Sequence, residues 1–260
     1  MLTPILMYHE VTGASLLPDE VVASWTVTPG QFDAHMAMLA EAGYTGMSVA
    51  RWLAVRDASP SEVRPVVLTF DDGFRGNVEH VIPALCERGW TATFFVISGR
   101  MGHPSYAEAP DWRAAVAAGM DVASHTATHP FMAVMDAAAA LREMADSRAA
   151  LEDATGGRIQ GFSWPNGDAH PRGRRLLVKS GYTWAATSRA AFATGRTDRL
   201  ALPRLPVRAW HDADALAGLL SAGRIGRARM AAAYEAKQMA RRLLGRARYA
   251  RMTEDLRSET

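Results

Sequence analysis

The chain has 260 residues, 48% of them hydrophobic, enough to bury one sizeable core and within the range of a single α/β barrel. No run approaches the roughly 18 unbroken apolar residues of a membrane span, which argues against a membrane-spanning helix. Net charge is +2 but unevenly placed: from Arg224 onward 10 Lys or Arg face 4 acids, whereas the preceding residues hold 19 against 23, a mildly acidic body with a basic tail.

Met1 leads directly into a strand-like segment without the basic head and apolar stretch of a secretory signal, so the sequence predicts a cytoplasmic protein. The single cysteine, Cys86, can form no internal disulfide, which fits a reducing compartment. Strand-length apolar runs alternate with helical patterns, as in a parallel sheet with crossover helices. Ile5–Tyr8 reads as the first strand, ending at His9. Apolar spacing predicts a helix over Gln31–Ala42, stopped by Gly43. Val66–Phe70 is a β-rich run of the buried parallel type, ended abruptly by Asp71-Asp72-Gly73. A helix over Asn77–Arg88, a strand over Thr91–Ile97 and a Gly-, Pro- and Ser-rich loop over Ser98–Pro110 follow. Helix Asp111–Ala118 and strand Met120–Ser124 lead into His125-Thr126-Ala127-Thr128-His129, and an Ala-rich helix covers Asp136–Ala154. Strand Ile159–Trp164 stops at the turn Pro165-Asn166-Gly167, and helix Arg172–Ser180 with strands Tyr182–Ala186 and Arg204–Val207 completes the body. From Arg224 to Arg251 the chain lacks Pro, is rich in Ala and Arg, and predicts a helix with Met230, Tyr234, Leu243 and Leu244 as its apolar positions.

Three polar clusters stand where strands stop: Asp71-Asp72, His125 with His129, and Pro165-Asn166-Gly167. In a parallel barrel all such ends share one face, where active sites form. Adjacent residues leaving a strand point opposite ways, so one aspartate can bind metal while the other takes a proton. Histidines four apart share one side of a helix or turn, and two imidazoles with one carboxylate make a zinc shell with a position open to water. A zinc ion lowers the pKa of such a water to about 7. Singly, an aspartate pair after a strand is more often a helix cap, and a histidine pair more often solvated; their joint placement favours a site.

Thr69-Phe70-Asp71-Asp72-Gly73 and Ser124-His125-Thr126-Ala127-Thr128-His129 resemble the first two motifs of the polysaccharide deacetylases with a NodB homology domain. The likeness runs from Met7-Tyr8-His9-Glu10 to about Val207. The resemblance implies a single-domain distorted (β/α)7 barrel over residues 1–222, with residues 223–260 as a basic helical extension. It implies removal of N-acetyl groups from N-acetylglucosamine-containing poly- or oligosaccharide, in exopolysaccharide or adhesin biosynthesis. By it, Asp71 is the general base, and Asp72, His125 and His129 hold a divalent metal, zinc first, with cobalt or nickel as alternatives.

The third motif departs from the family pattern. Phe162-Ser163-Trp164-Pro165-Asn166-Gly167 keeps Pro165 and Gly167, and the Asn166 N–H stands to bind an oxyanion, but Ser163 replaces the arginine that steadies the catalytic aspartate. Arg204 is the candidate substitute. The late Leu-x-His motif that supplies the general acid is absent; His211 is the nearest candidate, with His170 and His9 as rivals. His9, ending the first strand, is also placed for substrate binding or for a structural hydrogen bond, and Trp164 and Trp210 either for stacking on sugar rings or for core and rim packing.

The basic tail either rests on an anionic membrane surface, making the protein peripheral to the inner membrane, or packs on the barrel. Nucleic acid is disfavoured because aromatic residues hardly interleave the charges, and a Ser nucleophile because no Gly-x-Ser-x-Gly elbow occurs. Two alternative readings are a small-molecule amidase with the same metal chemistry and a carbohydrate-binding member that has lost turnover. Oligomeric state is not legible.

Overall fold

The computed structural model describes residues 2–13, 23–56, 63–167, 169–243 and 245. In chain order, β1 (Ile5–Tyr8) and β2 (Glu10–Val11) precede β3 (Thr26–Val27), α1 (Pro29–Glu41), β4 (Tyr44–Met47) and α2 (Val49–Val55). Then come β5 (Arg64–Phe70), α3 (Ile82–Glu87), β6 (Thr93–Val96), α4 (Ala109–Ala117), β7 (Asp121–Ser124) and α5 (Ala137–Thr155). The remainder is β8 (Gly161–Ser163), α6 (Gly173–Lys179), β9 (Trp184–Ala186), β10 (Leu205–Pro206), α7 (Ala213–Leu220) and α8 (Arg224–Leu243).

Local chemistry sets the helix ends. Thr28 caps α1 in a reciprocal box with Gln31, with Pro29 at the first position. Asp136 accepts from the Ala138 and Ala139 N–H groups to start α5, and left-handed Gly156 ends it.

The main sheet is wholly parallel, with strand order β10-β1-β5-β6-β7-β8-β9 and β4 paired to the early half of β5. A parallel bridge between Ala186 and Leu202, just ahead of β10, joins the two ends of that path, so the sheet curls into a distorted seven-stranded barrel. Strand alternation divides the core in two. Leu6, Tyr8, Leu68, Phe70, Phe94 and Phe162 face the helices, against side chains such as Met36, Leu85, Trp112 and Met144. Ile5, Val67, Phe95, Ala123, Trp184 and Ala186 fill the inside of the curl, which α2 plugs with Val49 and Trp52. The inward series continues from Val67 through Thr69 to Asp71, and from Gly161 to Ser163. Thus the polar residues at the strand ends are aimed into the barrel mouth.

Several elements differ from expectation. The helix over Asn77–Arg88 splits into a π-helical turn, Asn77–Val81, and α3. Pro83 has no N–H to offer a normal helical bond, and the wider turn precedes it. The last body strand shrinks from Arg204–Val207 to Leu205–Pro206. The β2–β3 pair and β4, α2 and α7 were not expected from the sequence. Helix α8 is described to Leu243; Leu244 and the Arg246–Arg248 cluster lie outside the described residues. Among the described residues no helix is long and apolar enough to cross a membrane.

Gly161 tests the packing inside the curl, because a Cβ there would lie 2.0 Å from Cζ2 of Trp184. Gly161→Ala should lower stability by about 1–3 kcal/mol in urea denaturation, the usual cost of overpacking; an unchanged midpoint would show that Trp184 does not lie over β8.

Candidate active site

Asp71 leaves β5 with its N–H bonded to the Tyr8 carbonyl at 3.0 Å, and its side chain is buried. Arg204, 0% exposed, meets it as a fork: Nη1 donates to Oδ1 at 2.5 Å and Nη2 to Oδ2 at 2.8 Å. The other guanidinium donors reach Ser163 Oγ (2.9 Å), Thr69 Oγ1 (3.4 Å) and the Thr187 carbonyl (3.1 Å), and the Phe95 ring lies below at 5.2 Å. All five guanidinium N–H groups thus have acceptors. Burial by itself would push the Asp71 carboxyl up; the Arg204 guanidinium, with His125 and His9, outweighs it and holds the group well below the usual carboxylate range. Ser163, buried at the end of β8, accepts one of the Arg204 bonds on its hydroxyl oxygen.

Asp72 takes the opposite direction because its backbone is left-handed, φ 74°, followed by Gly73 at φ 83°. His125 follows β7, with its N–H on the Val96 carbonyl, and the segment to His129 is a turn and not a helix, with Thr126 and His129 both left-handed. Glu143 of α5 clamps this turn, accepting from the N–H groups of Ala127 and Thr128 and from the Thr128 hydroxyl. Ser124 and Ser147 share a buried hydroxyl bond beneath it, and the Ser124 oxygen accepts the Thr126 N–H. Among the described residues the four non-glycine residues at positive φ are Asp72, Thr126, His129 and Asn166, all in the strand-end loops, a concentration of backbone strain expected of a functional site.

The turn brings His125 Nε2 and His129 Nε2 each to 3.5 Å from Asp72 Oδ1, and the three donor groups lie within 4.8 Å of one another. Asp72 Oδ1 is buried yet makes no hydrogen bond. His125 Nδ1 donates to the Ser163 carbonyl at 2.9 Å, which leaves Nε2 with its lone pair toward Asp72. Burial, assisted by His129 and opposed by Asp71 and Asp72, pushes His125 down to about 4, so it is neutral at neutral pH. A buried carboxylate oxygen without a hydrogen bond, facing two imidazoles, one of them held neutral and in the ligand tautomer, fits a divalent cation.

The remaining candidates separate. His9 lies near the aspartates: burial pushes its pKa down while Asp72 and Asp71 pull it up, and its Nδ1 has no hydrogen-bond partner. His211 instead accepts the Arg208 N–H on Nδ1, its charge neighbours are Arg208 and Asp212, and among the described residues it makes no hydrogen bond or ion pair to the aspartate–histidine cluster. His170 is occupied structurally, Nδ1 accepting from Arg172 N and Nε2 donating to the Met135 carbonyl. Trp164 is corrected from sugar platform to core residue: it is 3% exposed, edge-on to Phe162 and under Gly173. Asn166 sits left-handed, φ 57°, in the turn after β8, between buried Pro165 and Gly167. Sequence reasoning missed Glu143, whose helix showed only an Ala-rich pattern, and the pair Trp25 and Arg208 at the mouth. Arg208 carried one usable signal, its place at the end of the β10 segment.

A sequence profile of the polysaccharide deacetylase family matches residues 58–185. The chain is 28% identical over 206 residues to YxkH of Bacillus subtilis (strain 168), a protein named after the polysaccharide deacetylases, covering 78% of this chain and 71% of that one. It is 35% identical over 100 residues to a chitooligosaccharide deacetylase of Rhizobium leguminosarum bv. trifolii, covering 38% of this chain and 44% of the relative. The Streptococcus pyogenes deacetylase PplD, solved with acetate, shares the fold at a TM-score of 0.74 and 23% identity, covering 85% of this chain and 99% of that chain. Profile and relative both indicate a polysaccharide deacetylase, and the fold is the one that the solved deacetylase has.

Proposed function

We propose that this protein is a metal-dependent hydrolase that removes N-acetyl groups from N-acetylglucosamine-containing oligo- or polysaccharide. One observation carries the reading: Asp72 Oδ1, buried and without a hydrogen bond, stands 3.5 Å from two imidazole nitrogens beside a second aspartate paired with arginine. Asp72, His125 and His129 would hold the metal, for which zinc suits the donor set, with cobalt or nickel as substitutes. A bound divalent cation supplies Lewis acidity toward the acyl carbonyl and toward the attacking water.

This chain's own residues do the rest. Asp71, kept ionised by Arg204, accepts a proton from the water that attacks the acyl carbon, and the Asn166 N–H donates to the oxyanion. His9 supplies a proton to the departing nitrogen as the C–N bond breaks, giving acetate and a free amine. It takes this role from His211 because it lies near both aspartates and retains an uncommitted ring nitrogen. The bidentate Arg204 contact also removes the main support for a binding-only protein, the missing arginine. The chitooligosaccharide deacetylase relative, by its name, acts on N-acetylglucosamine oligomers, which supports that substrate class. A role in exopolysaccharide or adhesin biosynthesis on the cytoplasmic side extends the proposal, with α8, whose Ile225 and Met239 are exposed, resting on an anionic membrane surface.

Acetate release from N-acetylglucosamine oligomers should vanish on metal stripping, return with zinc or cobalt, and fall at least about 100-fold in Asp71→Asn, in line with loss of general-base catalysis. Full activity in stripped protein, or in Asp71→Asn, would contradict the mechanism. Glu143→Ala should weaken cobalt binding by about 10–100-fold, followed by visible absorption, because it loosens the turn that carries both histidines. Unchanged affinity would assign Glu143 to fold maintenance alone.

A further inference from the structure

At the barrel mouth a row of flat side chains runs outward from the aspartates. His9 packs on Trp25 with ring centroids 4.2 Å apart, the Arg208 guanidinium lies 3.1 Å above the Trp25 ring, and Trp210 stands 5.7 Å from that guanidinium. His9 feels the charges of Asp72, Asp71 and Arg204, and also that of Arg208, so the row is electrostatically continuous with the centre. Trp210, at its outer end, is 65% exposed.

The segment is held in place. Ala209 N–H donates to the Ser24 carbonyl, Gln31 Nε2 donates to the Ala209 carbonyl at 2.9 Å, and Arg208 N–H donates to His211 Nδ1. His35, itself buried, takes the Tyr8 hydroxyl on Nδ1 and donates from Nε2 to the His211 carbonyl at 2.8 Å. The backbone below Arg208 is therefore anchored to α1, and α1 to β1.

Its guanidinium is held by ring contacts with Trp25 and Trp210 and not by a polar partner among the described residues. Arg56 and Arg64 also lie over aromatic rings, but each donates to a backbone carbonyl, of Thr197 and of Ala42. Arg208 is partly buried, enough for desolvation to pull it down to about 10, and among the described residues its guanidinium makes no hydrogen bond and no ion pair. Five donors in a planar fork, partly withdrawn from water and paired with no carboxylate among the described residues, match an oxyacid group brought by a ligand. The exposed Trp210 beside them offers a flat face to a sugar ring.

We propose that Arg208 and Trp210 form a saccharide subsite, adjoining the deacetylation centre, that recognises an anionic substituent, a carboxylate or a phosphate, on the N-acetylated substrate. This rests on the deacetylase reading and narrows its substrate class to acidic saccharides. The Arg208 fork pairs with the anion, Trp210 carries the ring that bears it, and Trp25 holds the guanidinium flat.

The test is binding to the zinc-loaded protein, read by tryptophan fluorescence and calorimetry, with two matched pairs of probes. One pair is a hexasaccharide alternating N-acetylglucosamine with glucuronic acid, against the neutral N-acetylglucosamine hexamer. The other is N-acetylglucosamine 6-phosphate against N-acetylglucosamine. The wild-type protein should prefer the charged member of at least one pair by about 10-fold or more, as a charge-assisted hydrogen bond supplies. Which pair shows it tells carboxylate from phosphate. The preference should shrink toward unity in Arg208→Gln and survive in part in Arg208→Lys, which keeps the charge without the fork. Equal affinity of the wild type for both members of both pairs overturns the proposal, as does a preference undiminished in Arg208→Gln. Should the variants fail to fold, the wild-type ratios decide alone. Acetate release is measured separately, so a protein that binds acidic saccharide but hydrolyses none would sink the deacetylase reading and leave the subsite standing.

Discussion

Asp71 is ionised inside the barrel because Arg204 is there. A carboxylate buried without a cation would neutralise itself by taking up a proton; here a fully buried guanidinium meets both of its oxygens. The pair ties the end of β5 to the segment ahead of β10, and through Ser163 Oγ to β8, so three separate strands are brought to one register at the mouth. Removing one member of such a pair typically costs about 3–5 kcal/mol, mainly because the other charge is left behind. The interaction is accordingly better understood as fixing position and protonation state than as a net source of stability.

From that anchor the rest of the centre follows by backbone geometry. Asp71 and Asp72 are neighbours, yet the left-handed turn at Asp72 sends their carboxylates to different tasks, one to arginine and one to the histidine pair. The His125–His129 turn needs two further left-handed residues, and its strain is met by Glu143 and the Ser124–Ser147 pair. Ser163 joins the two halves: its hydroxyl accepts from Arg204, and its carbonyl orients His125.

Much of this was legible because strand ends in a parallel barrel share a face. That rule alone picks out Asp71, Asp72, His125, His9 and the Pro165 turn. Arg204 was legible as a charge in a late strand-like run, against Ser163 as a gap in a motif. The rule also favours His9 over His211, since His9 ends β1; proximity to the absent late motif had favoured His211. Trp164 looked available because it adjoins a turn, but alternation sends it to the helix side with Phe162. Glu143 left no trace, because a helix pattern does not say which loop its polar face will meet. Elements of two to four residues, such as β2, β3 and β4, are too short for periodicity to register.

The most direct test of the account is a double-mutant cycle on folding stability with Asp71→Asn, Arg204→Gln and the pair combined. If the two charges are mutually dependent, Arg204→Gln should destabilise markedly, and adding Asp71→Asn should recover part of that loss, leaving a strong coupling energy. Additive losses, with no recovery in the double variant, would show that the buried pair does not hold the site together.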